Sequence, residues 1–362
     1  MSIIHLVGLI VADDEHDAGE AWVVGDRLTY ERPGQAADRT LAGVVLPGLV
    51  DVHCHVGLDA HGVTDVATAR RQALADRDTG VLAIRDAGSP LDTSWIADEP
   101  DLPVLLRAGH HLARPKRYLR SFARELDDPC ELPTAVAEEA ARGDGWVKIV
   151  GDWIDRDLAG GGDLRPLWTH EQLCDAVAAA HAGGAKVTVH TFGTETLADL
   201  LDAGVDCLEH ATGADADQIA QIAAAGVPVT ATLLQVGQFD AIAEAAHRFP
   251  VYAARMRAMH TRRAAQVRDL HDAGVLVLVG TDAGGTIDHG QLPAEAAAMV
   301  AAGLPAADVV AAASWRTRAW LGLPGLDEGA SADLVVYPAD PRTDIGVLAA
   351  PSAVVLRGVQ VA

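Results

Sequence analysis

Along most of this chain the apolar residues form short continuous runs instead of alternating strictly with polar ones. Gly48–His53, Val81–Arg85, Val104–Arg107, Trp146–Val150, Lys186–Val189, Val205–Glu209, Val227–Thr232 and Val275–Gly280 each read as a strand. Unbroken runs rich in Val, Ile and Leu suit strands buried on both faces, as in a parallel sheet. Between most of them lie Ala-rich stretches with helical spacing, such as Glu171–Ala182, Thr194–Ala203 and Asp215–Ala225. Eight such units predict an α/β fold: a closed (β/α)8 TIM barrel in preference to an open doubly wound sheet.

The two ends of the chain read differently. Ile3–Val11, Trp22–Val24 and Arg27–Tyr30 are short strands with turns, and so are Leu334–Tyr337 and Ala353–Leu356. Neither end can bury a core alone. Residues 1–46 and 326–362 are therefore expected to pair into one small β-sandwich domain, with the barrel, 47–325, inserted between them.

Composition narrows the function. The 362 residues are 49% hydrophobic, enough for a large core, and the formal net charge is −23. That charge argues against nucleic acid and anionic membrane surfaces as partners. A small-molecule substrate is expected, and a homo-oligomer. The four cysteines, Cys54, Cys130, Cys174 and Cys207, show no CxxC spacing and read as free thiols in a reducing, cytoplasmic compartment. Met1–Val11 lacks a basic flank and runs into Asp13, Asp14 and Glu15, so it reads as a strand, not a signal peptide. No apolar stretch is long enough to span a bilayer.

Six polar residues fall at or just beyond strand ends: His53, His55, Lys148, His190, His210 and Asp282. Active sites of such barrels lie at the C-terminal ends of the strands, so these residues converge. Two histidines two apart in LPGLVDVHCHVG leave one face of a strand and can share a cation, although a chance pair looks the same. Lys148, inside the apolar run GWVKIVG, is either a lysine reaching for the rim or one carbamylated by CO2, which would give an anionic ligand bridging two metals. His190 in KVTVHTFG and His210 in CLEHATG each end a strand; singly, either would read as a core histidine. Asp282 in VLVLVGTDAGG can hold a metal and carry a proton, or merely cap the next segment of chain. Imidazole and carboxylate donors suit Zn, Mn, Co or Fe.

This order, HxH, Lys, His, His, Asp, resembles the amidohydrolase superfamily with a binuclear metal centre. Gly80–Gly88, Arg107–Ala113, Ala203–Gly213, Gly280–Gly285 and Gly329–Pro341 resemble segments of its imidazolonepropionase-like, prolidase-like branch. The resemblance implies two divalent ions, zinc first among the candidates. His53 and His55 would hold the more buried one, His190 and His210 the outer one, and a carbamate on Lys148 would bridge them. Asp282 would be ligand and proton shuttle for an attacking hydroxide, and His110 would touch the substrate carbonyl. Phe192 stands where the branch often has a second histidine, and Ala330 where its tail usually carries lysine.

Substrate clues are fewer. Arg107, Arg114, Lys116, Arg117, Arg120 and Arg124 form a positive island without an acidic residue among them. It reads either as a binder of a substrate carboxylate, with Arg114, Arg117 and Arg85 as candidates, or as a solvated helix face. The loop Gly151–Leu167, with glycines at 160–162, is either a lid or an ordinary surface loop. Leu234–Leu270, helical in pattern, would form a pocket wall or an oligomer contact. The expected reaction is hydrolysis of an amide or peptide-like C–N bond in a dipeptide or N-acyl amino acid. The rivals are a mononuclear deaminase or cyclic-amide hydrolase, a lactone or phosphotriester hydrolase, and a non-catalytic relative. Against the deaminase, Gly193 stands where such enzymes usually place a glutamate three residues after the strand-end histidine.

Overall fold

The computed structural model describes residues 2–158 and 162–362. Its barrel strands, numbered one to eight, are Leu49–Cys54, Val81–Asp86, Val104–Arg107, Trp146–Val150, Lys186–Thr191, Cys207–His210, Val229–Thr230 and Val277–Leu278. Successive strands pair in parallel from one to three and from four to eight. Strand three meets four through the Asp144 amide on the Arg107 carbonyl and the short segment Leu112–Ala113. The ring closes where Val52 N–H donates to the Val279 carbonyl and His55 N–H to that of Ala283. Strands seven and eight pair over less of their length than the apolar runs suggest. Just beyond them Thr232 and Asp282 take left-handed backbone, φ 46° and 56°, which a pleated strand cannot hold.

The surrounding helices follow their sequence signals. Thr169 and Asp215 close capping boxes on His170–Ala182 and Ala216–Ala225, so the first-turn amides find acceptors. In the first of these, Leu173, Ala176, Val177 and Ala180 form the buried stripe against the barrel. Burying each Leu or Val contributes roughly 1.5–3 kcal/mol before entropy is counted.

The chain ends do meet. They form one seven-stranded mixed sheet in which Leu334–Tyr337 pairs antiparallel with Arg39–Pro47, and Arg39–Pro47 parallel with Ile3–Val11. The sheet curls over its own core of Ile4, Leu6, Ile10, Val23, Leu28, Val45, Leu334 and Val355. Backbone bonds from Leu28 to Ala330 and from Ala332 to Asp26 tie its free edge back. Arg39–Pro47, not anticipated from sequence, leads directly into barrel strand one.

Two segments flank the mouth of the barrel. Gly151–Leu167 is ordered in its described part as an antiparallel hairpin of Asp152–Asp155 with Asp163–Pro166. Glycines 160 and 161 of its glycine run lie outside the described residues. Leu234–Leu270 is broken into helices Leu233–Gly237, Phe239–Ala245 and Pro250–Asp272, with Pro250 starting the last. No described helix is long and apolar enough to cross a membrane.

Candidate active site

All six expected ligands are brought to one end of the barrel. The Asp282 carboxylate lies 3.0 Å from His53 Nε2 and 3.3 Å from His55 Nε2. The rings of His190 and His210 stand 4.8 Å apart, and that of His210 is 5.1 Å from His53. Lys148 is fully buried below them.

Burial governs the protonation states. It pushes the imidazole of His210 down to about 3 and that of His190 well below the ordinary range, so both are neutral bases. Burial would raise Asp282, but His53 and His55 more than offset it, and its carboxyl titrates well below the usual range. His55 Nδ1 is tied to the Gly88 carbonyl at 2.7 Å and His210 Nδ1 to Thr232 Oγ1 at 2.7 Å, which leaves their Nε2 atoms facing the site.

These residues fit divalent metal ions. Nε2 of His190 is buried without a hydrogen-bond partner, which is costly unless a cation takes its lone pair, and Nε2 of His53 meets the Asp282 carboxylate at 3.0 Å. Two trios of donors lie within 4.8 Å of one another: His53, His55 and Asp282, and His53, Glu209 and His210.

Glu209 was not anticipated. Its buried carboxylate forms an ion pair with Lys148, accepts from Thr188 Oγ1 at 2.8 Å and lies 3.6 Å from His53 Nδ1. Strand alternation puts residues 209 and 210 on opposite faces. His210, at φ 64°, leaves the strand geometry and lets both side chains enter the site.

Four substrate-contact expectations meet a different geometry. His110 turns outward, its Nδ1 3.2 Å from Glu139, and lines a separate surface cleft with Arg107 and Arg142. Its neighbour His111 takes the inward place, fully buried, with its ring 5.7 Å from that of His55 and both nitrogens unpartnered. Gly109, at φ 71°, turns the chain after strand three and decides which of the two histidines enters. Arg85 points down the barrel interior, where its guanidinium lies over Trp146 at 4.6 Å and Nε donates to the Val52 carbonyl. Arg114 is held by the carbonyls of Leu126 and Asp127, and Arg117 by Asp155 at 2.8 Å. None of these four residues lines the main cavity.

That cavity, about 740 Å³, opens over His55, His190 and Asp282. One wall is built by the hairpin and the three helices of 233–272, as Trp153, Ile242, Phe249 and Tyr252 show. The segment Tyr118–Phe122 adds to the lining, with the Tyr118 ring packed on Trp153 at 4.9 Å between centroids. The Tyr118 ring reaches within 5.0 Å of His111 and 5.5 Å of His190. Arg120 is the island arginine that lines the cavity, together with Arg156 and Arg248 from elsewhere.

Around the ligands a shell of acceptors locks the strand ends. Asp51 accepts from Thr281 Oγ1 at 2.6 Å and from the His53 amide, and burial raises its carboxyl to about 7. Asp152 accepts from Thr191 Oγ1, Thr196 Oγ1 and the amides of Phe192 and Gly193, which joins the ends of strands four and five.

The fold is shared with known proteins. The chain is 49% identical to an uncharacterized protein of Mycobacterium tuberculosis over 98% of its own length and 95% of the relative's. Its fold is similar to that of a Xaa-Pro dipeptidase with bound methionine, with TM-score 0.81, 22% identity and 99% of both chains covered. It is similar also to the ochratoxinase of A. niger, with TM-score 0.82, 18% identity, and 99% of this chain and 95% of that one covered. The model of the amidohydrolase family matches residues 44–361, and the chain belongs to that family.

Proposed function

We propose that the protein is a metal-dependent hydrolase of an amide or peptide-like C–N bond, in a substrate that carries a carboxylate near that bond. The observation that carries this reading is the convergence of His53 and His55 on the ionised Asp282 beside the buried, unpartnered Nε2 of His190. His53, His55, His190, His210 and Asp282 would hold two divalent ions, with zinc the first choice and Mn, Co or Fe as alternatives. Such ions, when bound, polarise a carbonyl and bring the pKa of water near neutrality.

The chain's own groups do the rest. Asp282, held as a carboxylate and reachable from the cavity, accepts a proton from water and returns it to the leaving nitrogen. His111, kept neutral by burial and lying behind the cavity wall, packs its ring 5.7 Å from that of His55 and so helps to hold that imidazole in place. The aromatic walls limit water around the reacting bond. That solved structures of similar fold include a Xaa-Pro dipeptidase and an ochratoxinase supports the C–N reading.

Lys148 admits two readings. Carbamylated, it would supply an anionic oxygen ligand to the ions. As an ammonium, it stays paired with Glu209, which then serves as a ligand beside His53 and His210. Native mass spectrometry of protein reconstituted with and without bicarbonate separates them: a mass gain of one CO2, lost in Lys148→Ala, identifies the carbamate. A hydrolysis screen of Zn- or Mn-loaded protein on dipeptides, N-acyl amino acids, cyclic amides, lactones and aminopurines tests the function. Turnover of lactones or aminopurines alone would sink it.

A further inference from the structure

The chemistry of the cavity wall is more selective than the ligand set beneath it. Trp153, Phe192, Ile242, Phe249, Tyr252 and Met256 form a continuous apolar face. Phe192 packs on His190, with ring centroids 4.3 Å apart, so this face begins directly beside the candidate ligands. At the cavity's edge stand three exposed arginines, Arg120, Arg156 and Arg248. In a protein of net charge −23 this is a local reversal of sign. Among the described residues lining the cavity, the only carboxylate is Asp282, and it is engaged by His53 and His55.

Each feature favours a particular chemical group. An apolar face of this extent gains most from a large apolar or aromatic substituent, since burial scales with the area removed from water. Arginine pairs bidentately with a carboxylate. A substrate ammonium would find no free anion here. Desolvating it unpaired is costly, and the arginines would add repulsion.

We infer that the cavity selects N-acyl amino acids with a large, apolar acyl group and discriminates against peptides with a free α-ammonium group. This inference rests on the hydrolase reading for the identity of the bond, but the selectivity itself is a property of the wall and can be read by binding. The acyl group lies on the face from Trp153 to Met256, and the carboxylate meets the arginine rim.

The test uses three ligands that share one leucine carboxylate: 3-phenylpropanoyl-leucine, acetyl-leucine and phenylalanyl-leucine. The first and third differ by a single ammonium group, the first and second by the phenyl-bearing bulk. With metal-loaded protein, kcat/KM is measured for any ligand that is cleaved, and Kd by calorimetry for any that is not. The expected result is a preference for 3-phenylpropanoyl-leucine of at least about tenfold over each of the others, about 1.4 kcal/mol. Phenylalanyl-leucine handled equally well or better overturns the inference while leaving the hydrolase reading intact. Binding in the expected order without cleavage of any ligand does the reverse. Absence of binding to all three overturns the inference too. A second arm uses the triple variant Arg120→Gln/Arg156→Gln/Arg248→Gln, whose changes are confined to exposed side chains. The variant should bind 3-phenylpropanoyl-leucine about tenfold more weakly and leave the corresponding leucinamide unchanged. Equal weakening of acid and amide would refute the role of the rim.

Discussion

Lys148 and Glu209 show how much can depend on one buried pair. Neither side chain is exposed, and each is the other's counter-charge. Lys148→Ala should therefore do two things: cost about 3 kcal/mol or more of stability, read by urea unfolding, and abolish activity. A variant with unchanged metal content and activity would remove Lys148 from the site. Gly284 makes a second point at this scale. Its φ of 106° is open to glycine, and a Cβ there would collide with the His55 carbonyl oxygen. Gly284→Ala should displace His55 and lower metal occupancy, measured by elemental analysis, although no ligand side chain is itself replaced. The six candidate ligands were legible in the sequence because five stand at or just past strand ends and Lys148 is a lone charge inside an apolar strand. Glu209 and His111 were not, because each depends on a local left-handed φ, at His210 and Gly109 respectively, that reverses the expected facing.

The elements around the mouth are pinned by carboxylates that accept backbone amides. Glu295, in helix Leu292–Ala301, accepts from the amides of Leu233 and Leu234 and so fixes the start of the cavity wall. Burial raises its carboxyl from the ordinary 4.5 to about 8, although those two amides favour the ionised form. Its folded-state pKa thus lies above the unfolded one, and folding favours the protonated group. The stabilisation is complete below about pH 4.5 and is lost as the pH rises towards about 8. Glu295→Gln should remove this dependence: unfolding free energy between about pH 5 and 8 should fall by a few kcal/mol in the parent and distinctly less in the variant. Equal slopes would show that Glu295 is ionised throughout. At this scale the sequence was legible where helices carry caps, as at Thr169 and Asp215. It was less so for Arg39–Pro47, whose polar start hides a strand that becomes central only when the far end of the chain pairs with it.

At the scale of the molecule, the small sheet holds the two ends of the chain together beside the barrel. Leu334–Tyr337 lies between Arg39–Pro47 and Ala353–Leu356. Deleting residues 330–362 would leave Arg39–Pro47 with an open edge and uncover Ile4, Leu6 and Val45. We expect that truncation to be insoluble, as judged by the fraction in the supernatant after expression. Removing metal ions should act on the whole molecule as well. If two ions bind only the folded state, chelation should lower Tm, and zinc should restore it, with a gain that grows as the logarithm of the free zinc concentration. An unchanged Tm would argue that no ion is held at these residues.

The sequence by itself determined the barrel, the pairing of the chain ends and the six candidate ligands. These arise from patterns local to each strand or helix: burial on two faces, side-chain period, caps and strand-end polar residues. Only the tertiary structure decided which histidine of the pair 110–111 faces inward and that Arg85 serves the barrel interior. It also decided that Arg114 and Arg117 are consumed by the protein's own acceptors, and that Glu209 joins the site. The physical reason is the same in each case. A charged or aromatic side chain goes to whichever partner the folded chain brings within a few ångströms, and those partners come from strands and loops distant in sequence.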